Sequence, residues 1–189
     1  MTFGEKQHPC EFDNLYSLKV PNTDALEALK DVISRFENLL SIDFIRAVKS
    51  SIQDDDLHKL FKILNEWISK GIDMRDINGN ESSYHMFLYQ TFRICLNNEN
   101  WGVYSERLLQ DKKNRFDIAL VSQDRLYLFE LKFLAETSTE QPSVKIEEAL
   151  KPIDDKEYSK YFKDLSLKKT KIGVVGKGKK LSFKIEEIV

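Results

Sequence analysis

The stretch Leu126-Tyr127-Leu128-Phe129-Glu130-Leu131-Lys132-Phe133-Leu134 decides the fold. It is apolar at both parities, as a central strand covered on both faces must be. Two charges, Glu130 and Lys132, interrupt it. They are two residues apart, so they point to the same face. Burying an isolated charge is costly unless it is paired or coordinated. A salt bridge at a strand end would satisfy that rule, but a third charge lies upstream. Arg115-Phe-Asp117-Ile-Ala-Leu-Val121 reads as the preceding strand, and Ser122 to Arg125 as its turn. A hairpin then sets Asp117 across from Glu130 or one position away. Two carboxylates that close repel unless a cation lies between them or one is protonated. Oxygen ligands suit Mg²⁺, which uses one or two carboxylates and keeps several waters. Such an ion polarises a phosphodiester and lowers the pKa of a bound water. Lys132, on the same face, is placed to orient that water or to stabilise developing negative charge.

Upstream of this hairpin the chain reads as helical. Leu26, Leu29, Val32, Ile33, Phe36, Leu39 and Leu40 recur at helical spacing. A second helix runs through Phe44, Ile45 and Val48. A third starts at the carboxylates Asp54 to Asp56, carries Leu57, Leu60, Phe61, Leu64, Trp67 and Ile68, and ends at Gly71. After Asn78-Gly-Asn80, a helix from Glu81 to about Leu96 precedes a strand at Trp101–Leu108. Downstream, helices are expected at Val144–Leu150 and, beyond Pro152, at Glu157–Phe162. Strands follow at Lys171–Val175 and Leu181–Val189, with Gly176–Lys180 as the turn. The expected class is α/β with a mixed sheet. An all-helical region, residues 1–75, precedes a second domain, residues 76–189.

Composition narrows the function. With 41% hydrophobic residues the chain can build a core. Its 29 basic and 31 acidic residues leave a net charge of −2, against the strong imbalance of a disordered tail. Any nucleic-acid contact must therefore come from local chemistry. Cys10 and Cys95 are too few and too far apart for a disulfide framework or a zinc finger. No apolar run reaches the roughly 18 residues of a membrane span. The N-terminal stretch MTFGEKQHPCEFDN lacks a signal peptide's apolar core. A cytoplasmic protein with no membrane partner is expected.

Asp117, a hairpin, and then Glu130-Leu131-Lys132 resemble the signature of the PD-(D/E)XK nuclease superfamily. The order αβββαβ is likewise the restriction-endonuclease-like core that this superfamily implies. More closely, the chain resembles bacterial proteins that join an AAA-ATPase-like domain to a C-terminal PD-(D/E)XK nuclease domain. The matching pieces are LKVPN at 18–22, ESSYH at 81–85, YSE at 104–106, NRFDIAL at 114–120, LYLFELKF at 126–133, EEAL at 147–150 and KEYSKYF at 156–162.

That resemblance implies a nuclease using Mg²⁺ or Mn²⁺, with DNA rather than RNA as the expected substrate. Asp117 and Glu130 would be metal ligands, with the carbonyl of Leu131 completing the shell. Lys132 would be the catalytic lysine. Glu81 matches a helix glutamate that joins the metal site through a water. A dipole-favoured carboxylate at a helix start is the plainer reading of Glu81.

Weaker candidates surround this set. His85 shares the helical face of Glu81 and either touches the scissile phosphate, binds a metal, or serves as a partly buried structural histidine. Glu106 matches a family strand glutamate or pairs with Arg115. Lys112, Lys113 and Arg115 are candidate phosphate contacts, or simply a solvated turn. From Lys168 to Lys180 there are six lysines and no acid, which makes Lys177 and Lys179 candidate contacts to a nucleic-acid backbone, or part of a solvated lysine-rich surface. The helical leader is a candidate surface for a second copy or a protein partner. The rival function is a nuclease-like fold that binds nucleic acid or protein without catalysis. It is motivated by Pro152-Ile153, where the family often has Gln-Ile.

Overall fold

The computed structural model describes residues 41–71, 80–96, 100–105, 116–155 and 167–188. The expected helices at 26–40 and 157–162 lie outside them. All described elements belong to one compact unit, residues 40–189. Among them are four helices: α1 (Ile42–Gln53), α2 (Leu57–Gly71), α3 (Glu81–Cys95) and α4 (Pro142–Asp155). Five strands form one sheet: β1 (Gly102–Ser105), β2 (Ile118–Val121), β3 (Arg125–Phe133), β4 (Lys168–Lys177) and β5 (Lys180–Glu187). Their spatial order equals their chain order. β3 and β4 are parallel, and every other pair is antiparallel. Parallel neighbours need a crossover, which the segment containing α4 provides. From α3 onward the order is αβββαβ with β5 added at the edge.

Side-chain alternation in β3 divides the interior in two. Tyr127, Phe129 and Leu131 join one cluster with Val48 of α1, Leu60 and Leu64 of α2, and Leu88 and Phe92 of α3. Leu126 and Leu128 join the other, with Ile146, Leu150 and Ile153 of α4. The larger core crosses position 75, because α1 and α2 bury their stripes on the same sheet face as α3. Asn65 of α2 fastens the edge strand: its amide donates to the carbonyl of Leu181 at 2.9 Å and accepts from the Leu181 N–H at 2.7 Å.

Local chemistry starts the helices. Ser41 accepts from the amide of Phe44 at 3.2 Å and caps α1. Asp56 accepts from the amide of Lys59 at 2.8 Å at the start of α2, so only the last of the three aspartates acts there. Asn80 accepts from the amide of Ser83 at 3.0 Å and caps α3.

Several boundaries differ from expectation, among them the start of β2, which falls at Ile118 and leaves Asp117 just outside the strand. α4 starts at Pro142 and continues through Pro152, where a break was expected. A proline at a helix start is pre-organised. Past Pro152 the helix is held by Ile153, which is buried in the stripe of Ile146, Ala149 and Leu150. β4 begins at Lys168 rather than Lys171, because Arg125 to Leu128 of β3 pair with Lys168 to Lys171. The β4–β5 turn tightens to two residues, Gly178 and Lys179, with Gly178 at φ +55°. Glycine adopts that conformation without steric cost.

Candidate active site

Asp117 immediately precedes β2, and β2 pairs with β3 through Ile118 opposite Phe129. Extending that register by one residue sets Asp117 opposite Glu130. Asp117 is anchored at two points. Its Oδ2 accepts from the amide of Leu131 at 2.6 Å, and its carbonyl lies 2.9 Å from Nε2 of His85. The former bond ties the carboxylate to the middle residue of Glu130-Leu131-Lys132.

Glu130 is only 5% exposed. By alternation it shares the α4-side face with Leu128 and Lys132. Lys132 is half-buried, and its ammonium donates to the carbonyl of Leu131 at 2.9 Å. The same ammonium stands 3.5 Å from Oε1 of Glu81, the first residue of α3. Lys132 thus meets Glu81 where the C-terminal half of β3 passes the start of α3, and the Asp117 carboxylate is tied to the strand at Leu131, between Glu130 and Lys132.

Lys145 of α4 is a neighbour that sequence reasoning missed. Its ammonium pairs with Glu148 at 2.6 Å and Glu140 at 3.9 Å. Its pKa is raised, first by the hydrogen bond to Glu148 and further by nearby charges that include Glu81. Only the crossover fold brings Lys145 to this end of the sheet, so no local signal marked it.

The floor of this end is tightly built. The buried Tyr84 hydroxyl donates to the carbonyl of Gly178, and burial pushes its pKa up to about 12. Its ring covers Gly176, where a Cβ would come within 2.6–2.7 Å of ring carbons. The amide of Leu134 donates to the carbonyl of Gly176 at 2.9 Å.

Lys177 is half-buried, and its ammonium donates to the carbonyl of Ser138 at 2.6 Å. Lys179 is exposed on the turn. Lys112, Lys113, Arg115 and Glu106 lie outside the described residues. The lysine run is less bare than its sequence suggests, because the fold supplies acids from elsewhere. Lys168 pairs with Asp55 at 3.0 Å and Glu187 at 3.1 Å. Lys171 pairs with Asp154 at 2.6 Å and Glu186 at 3.0 Å.

The donor set fits a hard divalent cation. Asp117, Glu130 and the Leu131 carbonyl offer oxygens only, and a buried carboxylate such as Glu130 is stabilised by nearby positive charge. Among the described residues no three His, Cys, Asp or Glu side chains form a ready ligand cluster. That is compatible with an ion bound through one or two carboxylates and its own waters.

A family model described as the PD-(D/E)XK nuclease superfamily matches residues 79–186, more than half of the chain. The chain belongs to the PD-(D/E)XK nuclease superfamily. The matched span of this PD-(D/E)XK chain runs from just before α3 into β5 and contains Glu81, Asp117, Glu130, Leu131, Lys132 and Lys145. Among curated proteins, none matches it. No helix among the described residues is long and apolar enough to cross a membrane.

Proposed function

We propose that the protein hydrolyses phosphodiester bonds of nucleic acid, with DNA as the substrate and Mg²⁺ or Mn²⁺ as the cofactor. The observation that supports this reading is the bond from Leu131 N–H to the Asp117 carboxylate, at the residue between Glu130 and Lys132. Asp117 and Glu130 would hold the ion, with the Leu131 carbonyl as a third oxygen once Lys132 releases it. Bound there, a divalent cation supplies Lewis-acid polarisation of a phosphoryl oxygen and a water of lowered pKa. Lys132 donates to the attacking water or to the developing negative charge. Glu81 keeps the Lys132 ammonium at the site and accepts from water. Lys177 and Lys179 contact the nucleic-acid backbone, as do Lys112, Lys113 and Arg115.

Finer features belong to the same proposal. The chain is the nuclease part of a bacterial family that also has AAA-ATPase-like domains, and it works in the cytoplasm. Its helical N-terminal region, where Ile42 at the start of α1 is 66% exposed, docks a second copy or a protein partner.

The test is a panel of linear duplex DNA, single-stranded DNA and RNA, incubated with Mg²⁺, Mn²⁺ or EDTA. Wild-type protein should cleave DNA only with a divalent ion, and Glu130→Ala should not cleave. Cleavage in EDTA, or by Glu130→Ala at the wild-type rate, would contradict the reading.

A further inference from the structure

His85 lies one turn beyond Glu81 on α3, and its Nε2 is 2.9 Å from the carbonyl oxygen of Asp117. A carbonyl only accepts, so Nε2 carries the proton and donates. The ring is itself held in place. It stacks on Tyr89 with centroids 6.2 Å apart and planes 7° from parallel. The guanidinium of Arg93 lies over the Tyr89 ring at 5.7 Å. His85, Tyr89 and Arg93 are spaced four residues apart, so they form one column along α3. That column ends on the backbone of Asp117, while the Leu131 amide holds the Asp117 side chain at 2.6 Å. Asp117 precedes β2 and lies outside its ladder, so these two bonds fix where the carboxylate points.

The geometry points to His85 as a positioning residue that holds Asp117 in its metal-binding orientation by donating Nε2–H to the Asp117 carbonyl. This role rests on Asp117 being a metal ligand. It does not require His85 to touch metal or substrate. Groups that orient a ligand typically change metal affinity by about 10–100-fold when removed.

Calorimetric titration of the full chain with Mn²⁺, alone and with a short DNA duplex, tests it. His85→Phe keeps a ring against Tyr89 but has no donor. His85→Leu lacks both. His85→Gln keeps an amide donor at about the reach of Nε2 without the ring. The donor-less variants should bind Mn²⁺ at least about tenfold more weakly, with His85→Gln within about threefold of wild type. Wild-type affinity in His85→Phe or His85→Leu would overturn the role, as would a loss in His85→Gln equal to that in His85→Phe. Unfolding of both donor-less variants would also overturn it and make His85 a folding residue. Absence of Mn²⁺ binding by wild type, with and without DNA, would instead remove the metal reading of Asp117 and this role with it.

Discussion

Lys132 and Glu81 face each other across 3.5 Å, joining β3 to the first residue of α3. Their side chains are 29% and 47% exposed, so the pair contributes little to folding, within about 1 kcal/mol. Its importance is positional, because the lysine is the proposed catalytic cation. Glu81→Gln should leave the melting temperature nearly unchanged and slow cleavage by about 10–100-fold. Single-turnover kinetics beside a thermal melt check this. A destabilised variant that cleaves normally would assign Glu81 to structure alone.

At the opposite end of β3, the buried Tyr127 donates its hydroxyl to Asp55 at 2.6 Å. Asp55 sits at φ +60°, a left-handed conformation unfavourable for most side chains and tolerated best by Gly, Asn and Asp. Asp55→Ala keeps the strain and removes the acceptor of the hydroxyl proton, for a loss of about 1–3 kcal/mol. Asp55→Gly loses the same acceptor but relieves the backbone, so it should be about 1 kcal/mol more stable than Asp55→Ala. Urea unfolding measures the difference, and equal stabilities would refute the strain argument.

The same aspartate sets a response to acid. Burial raises its pKa, but the Tyr127 hydroxyl and the Lys168 ammonium outweigh burial and hold it below the ordinary 3.8. Glu186, beside Lys184 and Lys171, is likewise held below 4.5. For a carboxyl with a depressed folded pKa, the stability it contributes is present above the unfolded value and disappears as pH falls through the folded one. Melting temperature should therefore drop below about pH 4. The Asp55→Asn protein, already lacking that contribution at neutral pH, should show a shallower drop. Parallel curves for the two proteins would contradict the assignment.

Helix α4 lies directly on β4 at Gly173. A Cβ there would come within 2.9 Å of the Ile146 carbonyl oxygen and of Leu150 Cγ. Gly173→Ala must push the helix backbone away, at a cost of about 1–3 kcal/mol. At Gly102 the obstacle is the far end of the Tyr104 side chain, which can rotate. Gly102→Ala should cost clearly less in the same unfolding assay. A larger loss at 102 than at 173 would mean that α4 does not pack as described.

Much of this molecule was legible because its signals are local. The doubly apolar strand with Glu130 and Lys132 at one parity identified the centre of the sheet. Helical stripes located α1, α2 and α3. The hairpin brought Asp117 toward Glu130, although only the observed register of β2 on β3 chose between two alignments. What was hidden depends on contacts distant in sequence. The lysine run gave no sign that Asp55, Asp154, Glu186 and Glu187 would neutralise Lys168 and Lys171. Neither the placement of Lys145 near Glu81 nor the Asn65 clasp on Leu181 carries a local signature. Pro152 suggested a break, yet burial of Ile153 keeps α4 intact.

The most direct measurement is the single-turnover rate of DNA cleavage by Lys132→Ala at saturating Mn²⁺, beside wild type. Removing one preorganised donor to developing negative charge typically costs about 10²–10³-fold. The expected result is a loss of that size or greater in a protein that still folds and still binds Mn²⁺. Cleavage by Lys132→Ala at the wild-type rate would contradict the proposed mechanism.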